Sequence, residues 1–298
     1  MITAVPGVEV GHWTDLEART GCTVALFPEG TVASGEVRGA APATREWALL
    51  DPLKMVERID AVVLSGGSAY GLAAGDGVMT WLEERGRGFP TPGGPVPIVV
   101  GLSLYDLTVG DGSVRPDREA GLAACASATG EEDSLGQVGA GTGATIGKWR
   151  GADGIRPGGL CGAVRRHGDL VVASLVAVNA LGDLHPPTSP GLEPDALVAA
   201  GWLDGGDGNG EGDPALETAF GNTTVGVVAT NARLSKVECQ LVAQSAHNGL
   251  ARAILPVHTR ADGDAFVAAA TGAVSAQVGA VRELATTVVA EAVGSLLG

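Results

Sequence analysis

The sequence is poor in aromatic residues and poor in positive charge. Phe, Trp and Tyr make up 4% of its 298 residues, and 19 Lys and Arg are outnumbered by 34 Asp and Glu, which gives a formal net charge of −15. No cluster of Lys or Arg could neutralise a phosphate backbone. We therefore expect neither nucleic-acid binding nor attachment to a membrane through basic residues, and the acidic surplus favours solubility.

Cysteines are also few, and no two of them are spaced as a metal-binding pair. They are Cys22, Cys125, Cys161 and Cys239. Such isolated cysteines are ordinarily buried free thiols in a reducing compartment. We therefore expect a cytoplasmic protein, and no residue pattern indicates a metal or a cofactor.

Apolar runs of membrane-spanning length are missing as well. The N-terminus has no charged segment followed by an apolar one, so no secretory signal is predicted. The most apolar stretch near the end, residues 281–297, is interrupted by Arg282, Glu283 and Glu291. Its apolar spacing predicts a helix with one buried face rather than a membrane span.

Glycine and apolar residues are what the sequence has in quantity. The 47 glycines are roughly twice the usual share of about 7%, which predicts many tight turns and closely packed backbones. Apolar residues make up 45% of the chain, enough for a sizeable core. We predict a single domain over residues 1–298.

Val-rich apolar runs bounded by Gly, Pro or Asn are typical of buried strands. They span residues 22–27, 61–64, 96–100, 170–178 and 225–229. Helices are predicted over residues 70–84 and 264–278, and the capping-box pattern from Ser235 to Glu238 predicts the start of another. This mixture predicts an α/β fold in which mixed sheets are flanked by helices.

Residues 185–217 differ from the rest of the chain. They are rich in Pro, then in Gly and acidic residues, and they lack apolar periodicity. We predict a mobile surface loop there, within the same domain. It ends just before Asn222 and Thr223.

Common catalytic motifs are excluded or unsupported. The glycine run at 139–148 fails the phosphate-loop pattern because Trp149 stands where Ser or Thr is required, and no acidic residue completes a dinucleotide pattern. The five histidines lack metal-ligand spacing and are expected to be surface or capping residues. Gly-x-Ser-x-Gly is absent.

Four motifs in order nevertheless carry a resemblance to a known family. They are Arg-Gly-Ala-Ala-Pro-Ala-Thr-Arg-Glu at 38–46, Leu-Ser-Gly-Gly-Ser-Ala-Tyr-Gly-Leu at 64–72, Gly-Asn-Thr-Thr-Val-Gly-Val-Val-Ala-Thr-Asn-Ala at 221–232 and Asp-Gly-Asp at 262–264. Together they resemble the DmpA-type L-aminopeptidase/D-esterase family, and within it the branch of the nylon-oligomer hydrolases. The resemblance runs from about residue 5 to about residue 275 and implies a layered αββα sandwich.

The resemblance implies a hydrolase that makes its own N-terminal nucleophile. The cut would fall between Asn222 and Thr223, leaving an α chain of residues 1–222 and a β chain of residues 223–298. A threonine hydroxyl needs an adjacent base to attack an amide. The α-amine released on Thr223 by the cut supplies one, because its reference pKa of about 8 lies near working pH.

Other family positions match residue by residue. By resemblance Lys148 shares protons with the nucleophile, Asn179 helps to hold the oxyanion, and Tyr105 lines the substrate site. Asp262 and Asp264 resemble the acidic pair that orients lysine and amine. Taken singly, each of these residues would be an ordinary turn, cap or core residue.

We therefore expect hydrolysis of amide bonds in short peptides or related oligomers, such as those of 6-aminohexanoate, by a homo-oligomer (tetramer or larger). One alternative is an acyltransferase resembling the ornithine acetyltransferases, which share the self-cleaving threonine. Another is a non-catalytic binding protein with a decayed site. The sequence argues against it, because every polar position that matches the family is intact. Thr224 is the rival nucleophile, but only Thr223 follows the asparagine of the motif.

Overall fold

The structure, a computed structural model, describes residues 1–186 and 221–297 together with the single positions 196 and 199. Its helices within these residues are α1 (Ala74–Glu83), α2 (Arg118–Ala126), α3 (Lys236–Ala251) and α4 (Val278–Gly294). None of the described helices is long and apolar enough to cross a membrane. Apart from residues 185, 186, 196 and 199, the segment predicted as a mobile loop lies outside the described residues.

The strands of the described residues alternate with these helices along the chain. They are β1 (Glu9–Asp15), β2 (Thr20–Leu26), β3 (Val32–Val37), β4 (Ala43–Arg45), β5 (Ala61–Ser65), β6 (Phe89–Thr91), β7 (Gly94–Val96), β8 (Val99–Ser103), β9 (Thr145–Ile146), β10 (Arg156–Pro157), β11 (Gly159–His167), β12 (Leu170–Asn179), β13 (Asp183–Leu184), β14 (Thr223–Ala232), β15 (Ile254–Leu255) and β16 (Ala265–Val274).

Two five-stranded sheets form the centre of the molecule. The first has the order β1-β2-β5-β8-β4 and the second has the order β11-β12-β14-β16-β3. One neighbouring pair in each sheet is parallel, β5 with β8 and β14 with β16, while the other neighbours are antiparallel. Both sheets are therefore mixed, as the sequence predicts.

The inner faces of the two sheets share one hydrophobic core. The side chains in it include Val62, Leu64 and Leu102 from the first sheet and Leu175, Val225 and Val227 from the second. Each is at most 1% exposed. Burying an aliphatic side chain of this size contributes about 1.5–3 kcal/mol relative to leaving it in water. This shared core holds the two sheets face to face.

Each sheet is covered on its outer face by a pair of helices. Val63 of the first sheet packs in one cluster with Val78 of α1 and Ala124 of α2. Val228 of the second sheet packs in another with residues of α3 and α4. The chain thus has the four layers of an αββα sandwich, which confirms the predicted fold class.

Burial on both faces explains why the central strands have nearly continuous apolar runs. Successive side chains point to opposite faces, so β12 supplies Leu175 to the inner core and Val176 to the outer one. The predicted strands at 22–27, 61–64, 170–178 and 225–229 are confirmed. The run at 96–100 divides around Pro97 into the end of β7 and the start of β8.

Three helix predictions hold, with changes at their ends. α3 begins with the full capping box predicted at Ser235, and α4 covers most of the apolar stretch predicted near the end. The helix predicted over 70–84 is a 3₁₀ turn (Ser68–Ala73) followed by α1.

The helix predicted over residues 264–278 is wrong, because this segment is β16. Its alanines favour a helix in isolation, but β16 lies between β14 and β3 inside the second sheet. Val267 points into the inner core and Phe266 into the outer one. Phe266 lies over Gly226 of β14, where a Cβ atom would come within 2.4 Å of its ring. The tertiary position overrides the local propensity.

Candidate active site

Thr223 lies where three strands of the second sheet meet at one edge. It is the first residue of β14 and pairs with Asn179, the last residue of β12. Asp262 precedes β16 and forms a parallel bridge with Asn222. Because β12 runs antiparallel and β16 parallel to β14, the end of β12 and the starts of β14 and β16 fall at the same edge. Sheet topology thus gathers residues from distant parts of the chain.

Lys148, which is partly buried, and Asn179, which is fully buried, form a polar pair beside this edge. The Lys148 Nζ donates to Asn179 Oδ1 at 2.8 Å and to the Gly221 carbonyl oxygen at 2.9 Å. Asn179 Nδ2 donates to the carbonyl oxygens of Gly221 and Tyr105, each at 2.9 Å. The Thr145 backbone N–H donates to Asn179 Oδ1 at 2.9 Å. These bonds fix the orientation of the Asn179 amide.

Asp262 and Asp264 flank the same edge, and each is 2% exposed. Asp264 Oδ1 accepts the Thr224 backbone N–H at 2.7 Å. Asp262 Oδ2 accepts the backbone N–H and the hydroxyl of Thr259, at 2.8 and 2.6 Å. The turn at residues 262–264 therefore aims two carboxylates inward.

Gly263, between the two aspartates, touches the nucleophile candidate. Its N–H donates to the Asn222 carbonyl oxygen at 3.3 Å, and the Thr223 hydroxyl donates to the same oxygen. A Cβ atom on Gly263 would lie 2.8 Å from Thr223 Oγ1 and 2.5 Å from the Ala41 carbonyl oxygen. No side chain fits this position without displacing one of them.

The first sequence motif, at 38–46, forms the wall behind this turn. The backbone N–H groups of Arg38 and Ala41 donate to the carbonyl oxygens of Asp264 and Asp262, at 2.9 and 3.0 Å. A Cβ atom on Gly39 would lie 2.2 Å from the Asp262 carbonyl oxygen. The glycine therefore allows the close approach that these hydrogen bonds need.

The second motif, at 64–72, reaches the site through Asp106. This carboxylate is 3% exposed and accepts the Gly67 N–H and the Thr20 hydroxyl, each at 2.7 Å. Burial raises the pKa of Asp106. These bonds hold the segment that contains Tyr105, whose ring lies 3.3 Å from the position that a Gly221 Cβ would take.

Burial moves the pKa values of two side chains, Lys148 and Asp262, toward neutral pH. It lowers the pKa of Lys148 to about 7, against the opposing effect of the Asp262 and Asp264 charges. Burial raises the pKa of Asp262 to about 6, and the charge of Asp264 adds to the effect. A lysine that exchanges its proton near neutral pH is suited to general acid–base chemistry.

All the residues predicted for the site lie in this one region. Thr223, Lys148, Asn179, Asp262 and Asp264 are linked through direct bonds or through the backbone of their neighbours. Tyr105 contributes its carbonyl oxygen to Asn179. Thr224 is fully buried one residue further along β14, where its side chain points to the opposite face from that of Thr223.

Some residues of the site were not predicted from the sequence. Asp106 and Thr145 act through hydrogen bonds to residues distant in the chain, which no spacing rule identifies. The expectation that every histidine is a surface or capping residue is wrong for His247, which is fully buried. His258 is partly exposed, and its Nδ1 lies 2.8 Å from Asp264 Oδ2.

Comparison with known proteins gives matches over nearly the whole chain. Residues 1–297 match peptidase family S58. An uncharacterized aminopeptidase of Mycobacterium leprae is 42% identical over 302 residues, which cover 92% of this chain and 79% of that protein. A 6-aminohexanoate-oligomer endohydrolase of Agromyces sp. is 31% identical over 273 residues, covering 89% of this chain and 73% of that protein.

The fold is also found in solved structures. An L-aminopeptidase D-Ala-esterase/amidase from Ochrobactrum anthropi, described as a variant of the Ntn hydrolase fold, superposes with a TM-score of 0.73. The superposition covers 99% of this chain and 85% of that one, at 18% sequence identity. This chain therefore shares its overall αββα fold with that structure.

Proposed function

The chain belongs to peptidase family S58 and is a hydrolase of the peptidase and amidase class, and we propose that it makes its nucleophile by cutting itself between Asn222 and Thr223. One observation carries the proposal. The Thr223 hydroxyl lies against the Asn222 carbonyl group, on which the Gly263 N–H also converges. Nucleophile and oxyanion donor thus face the same peptide bond.

The cut begins with attack of Thr223 Oγ1 on the Asn222 carbonyl carbon. Lys148 in its neutral form takes the hydroxyl proton, and the Gly263 N–H stabilises the negative oxygen of the tetrahedral intermediate. The C–N bond then breaks as its nitrogen gains a proton, which leaves an ester on the Thr223 oxygen and a free α-amine. Water hydrolyses the ester, producing an α chain of residues 1–222 and a β chain of residues 223–298.

Substrate hydrolysis repeats these steps on a second carbonyl group. The free α-amine of Thr223, together with Lys148, serves as the base that activates its hydroxyl. The Asn179 amide, which contacts the Gly221 carbonyl oxygen at 2.9 Å, donates to the substrate oxyanion once the new chain end withdraws. Asp262 and Asp264 orient the lysine and the amine, and Tyr105 lines the entrance.

The substrates we propose are short peptides with a free amine, or amino-acid oligomers of the 6-aminohexanoate kind. The relatives named above support both, since one is an aminopeptidase and one an oligomer endohydrolase. They favour hydrolysis over the alternative acyltransferase. Comparing hydrolysis of amino-acid p-nitroanilides with turnover of N-acetylornithine separates the two activities.

Replacing the nucleophile is the direct test of this proposal. We expect Thr223→Ala to abolish p-nitroanilide hydrolysis, because neither the hydroxyl nor the released amine remains in its working form. Thr224→Ala is the matched control and should retain activity within about threefold, since its side chain points to the face of β14 opposite to that of Thr223. Activity that survives in the Thr223→Ala protein, or is lost only in the Thr224→Ala protein, would contradict the assignment.

The proposal includes an assembly and a location. We propose a homo-oligomer, tetramer or larger, on the basis of the family resemblance, and size-exclusion chromatography with light scattering tests it. We also propose a cytoplasmic location. The four cysteines are buried free thiols, as is usual in reducing compartments.

A further inference from the structure

His258 lies between a carboxylate of the candidate site and a second, fully buried histidine. Its Nδ1 is 2.8 Å from Asp264 Oδ2, and its backbone N–H donates to the same oxygen at 3.3 Å. Its Nε2 is 3.5 Å from the His247 carbonyl oxygen. The two imidazole rings meet edge to face with centroids 4.9 Å apart. The ring is thus held from two sides.

The direction of the bond to Asp264 follows from the partner. A carboxylate oxygen only accepts, so the Nδ1 of His258 carries the proton and donates it. The far side of the ring is oriented by α3, whose His247 also contacts the Glu36 carbonyl oxygen at 2.9 Å. With its proton on Nδ1, the ring donates to Asp264 on one side and packs edge to face against the His247 ring on the other, where the facing carbonyl oxygen likewise only accepts.

The Asp264 carboxylate depends on this bond because it has little access to water. Its Oδ1 accepts the Thr224 N–H at 2.7 Å, while its Oδ2 is held by His258, and the residue is 2% exposed. Removing the imidazole donor would leave Oδ2 with the longer backbone bond alone. The carboxylate could then rotate away from the residue that follows the nucleophile.

The backbone supports a dedicated role for this side chain. His258 has a φ of 55°, a left-handed conformation that Gly adopts most readily and that Asn, Asp and His adopt more often than the remaining residues. An ordinary turn would be served better by glycine. The position instead combines an unfavourable backbone with a side chain that reaches into the site.

We propose that His258 is a positioning residue for the reaction: its Nδ1–H fixes the Asp264 carboxylate, and Asp264 in turn fixes the start of β14 beside the nucleophile. This inference rests on the proposed function, since it assigns Asp264 to the working site. The His258 side chain is expected to affect the rate of the chemical step rather than the binding of substrate.

Three substitutions separate the donor from the backbone. His258→Gly accepts the left-handed conformation and removes the donor. His258→Asn also accepts that conformation, and its amide nitrogen stands close to the Nδ1 position. His258→Gln places an amide nitrogen near the Nε2 position instead. We expect the Asn protein to keep kcat within about threefold of wild type, and the Gly and Gln proteins to lose roughly 10- to 100-fold in kcat, with KM little changed.

Wild type and Thr223→Ala are measured alongside, with self-cleavage and p-nitroanilide hydrolysis as readouts and thermal unfolding as the check on folding. A Gly protein as fast as wild type, or an Asn protein as slow as the Gln protein, would overturn the role of His258. If the Gly protein does not fold, the Asn and Gln pair decides. A wild type that neither cuts itself nor hydrolyses the amide, or a Thr223→Ala protein that does, would instead overturn the proposed function.

Discussion

Lys148 and Asp262 are the site residues whose pKa values burial moves closest to neutral pH. The charged amine of Lys148 is disfavoured by burial, so its pKa falls to about 7, while burial and the Asp264 charge raise the pKa of Asp262 to about 6. Both groups lose their protons as pH rises through this interval. Over the same pH interval, the proposed base Lys148 therefore becomes neutral and the proposed orienting carboxylate of Asp262 becomes charged.

We predict that self-cleavage accelerates as pH rises through about 6 to about 7 and levels off above. Only neutral Lys148 can accept the Thr223 proton, and its fraction grows over this range. The chain is synthesised in a cell-free system, exposed to buffers of different pH, and followed on denaturing gels. Circular dichroism checks that it is folded throughout. A rate that is flat or falls across this interval contradicts the role of Lys148.

Gly263 offers a second test at the residue scale. We predict that Gly263→Ala blocks self-cleavage, because its Cβ atom would lie 2.8 Å from Thr223 Oγ1 and 2.5 Å from the Ala41 carbonyl oxygen. Gly279→Ala in α4 is the matched control, since its Cβ atom meets nothing within 4 Å. Denaturing gels of both proteins after purification give the result. Two fragments in the Gly263→Ala protein would show that the contact is not needed.

The residues of the site differ in how far the sequence reveals them. Thr223, Asn222 and the Asp-Gly-Asp turn stand in recognisable motifs, and the structure brings Lys148, Asn179 and Tyr105 to the same place. His258 and Asp106 act through hydrogen bonds to a site residue or to a motif. Sequence spacing does not reveal such bonds, because only the fold brings the two partners together.

At the scale of elements, burial decides what a sequence can reveal. Strands such as β12 are buried on both faces and show an apolar run that identifies them. The strands β1, β3 and β11 lie at the sheet edges and have mixed burial, so their pattern is weaker and they escaped prediction. β16 was mistaken for a helix because small alanines suit both a helix and a tightly packed central strand.

The N-terminus of α3 gives a prediction at this scale. Ser235 forms a complete capping box with Glu238, so Ser235→Ala should lower the free energy of unfolding by about 0.5–2 kcal/mol. Ser235→Asn keeps an acceptor at the cap without placing a second carboxylate beside Glu238, and it is expected to remain within a few tenths of a kcal/mol of wild type. Chemical denaturation of the Thr223→Ala background measures both without the complication of a cut chain. Equal loss in both variants would show that the cap is not the cause.

At the scale of the whole molecule, the proposed cut falls inside a shared sheet. The β chain would contribute β14 and β16 to the second sheet, and these lie side by side between β12 and β3, which belong to the α chain. Val225 and Val227 of the β chain share the inner core with Leu175 of the α chain. The two chains are therefore expected to remain one folded body after the cut.

Intact-mass spectrometry of the purified protein tests the central claim most directly. Under denaturing conditions the account predicts two masses, those of residues 1–222 and 223–298, whereas native conditions should show the two chains held together. The Thr223→Ala protein should give the single mass of residues 1–298 in both. A single uncut mass for the wild type after prolonged incubation, or a cut at any bond other than Asn222–Thr223, would contradict the account.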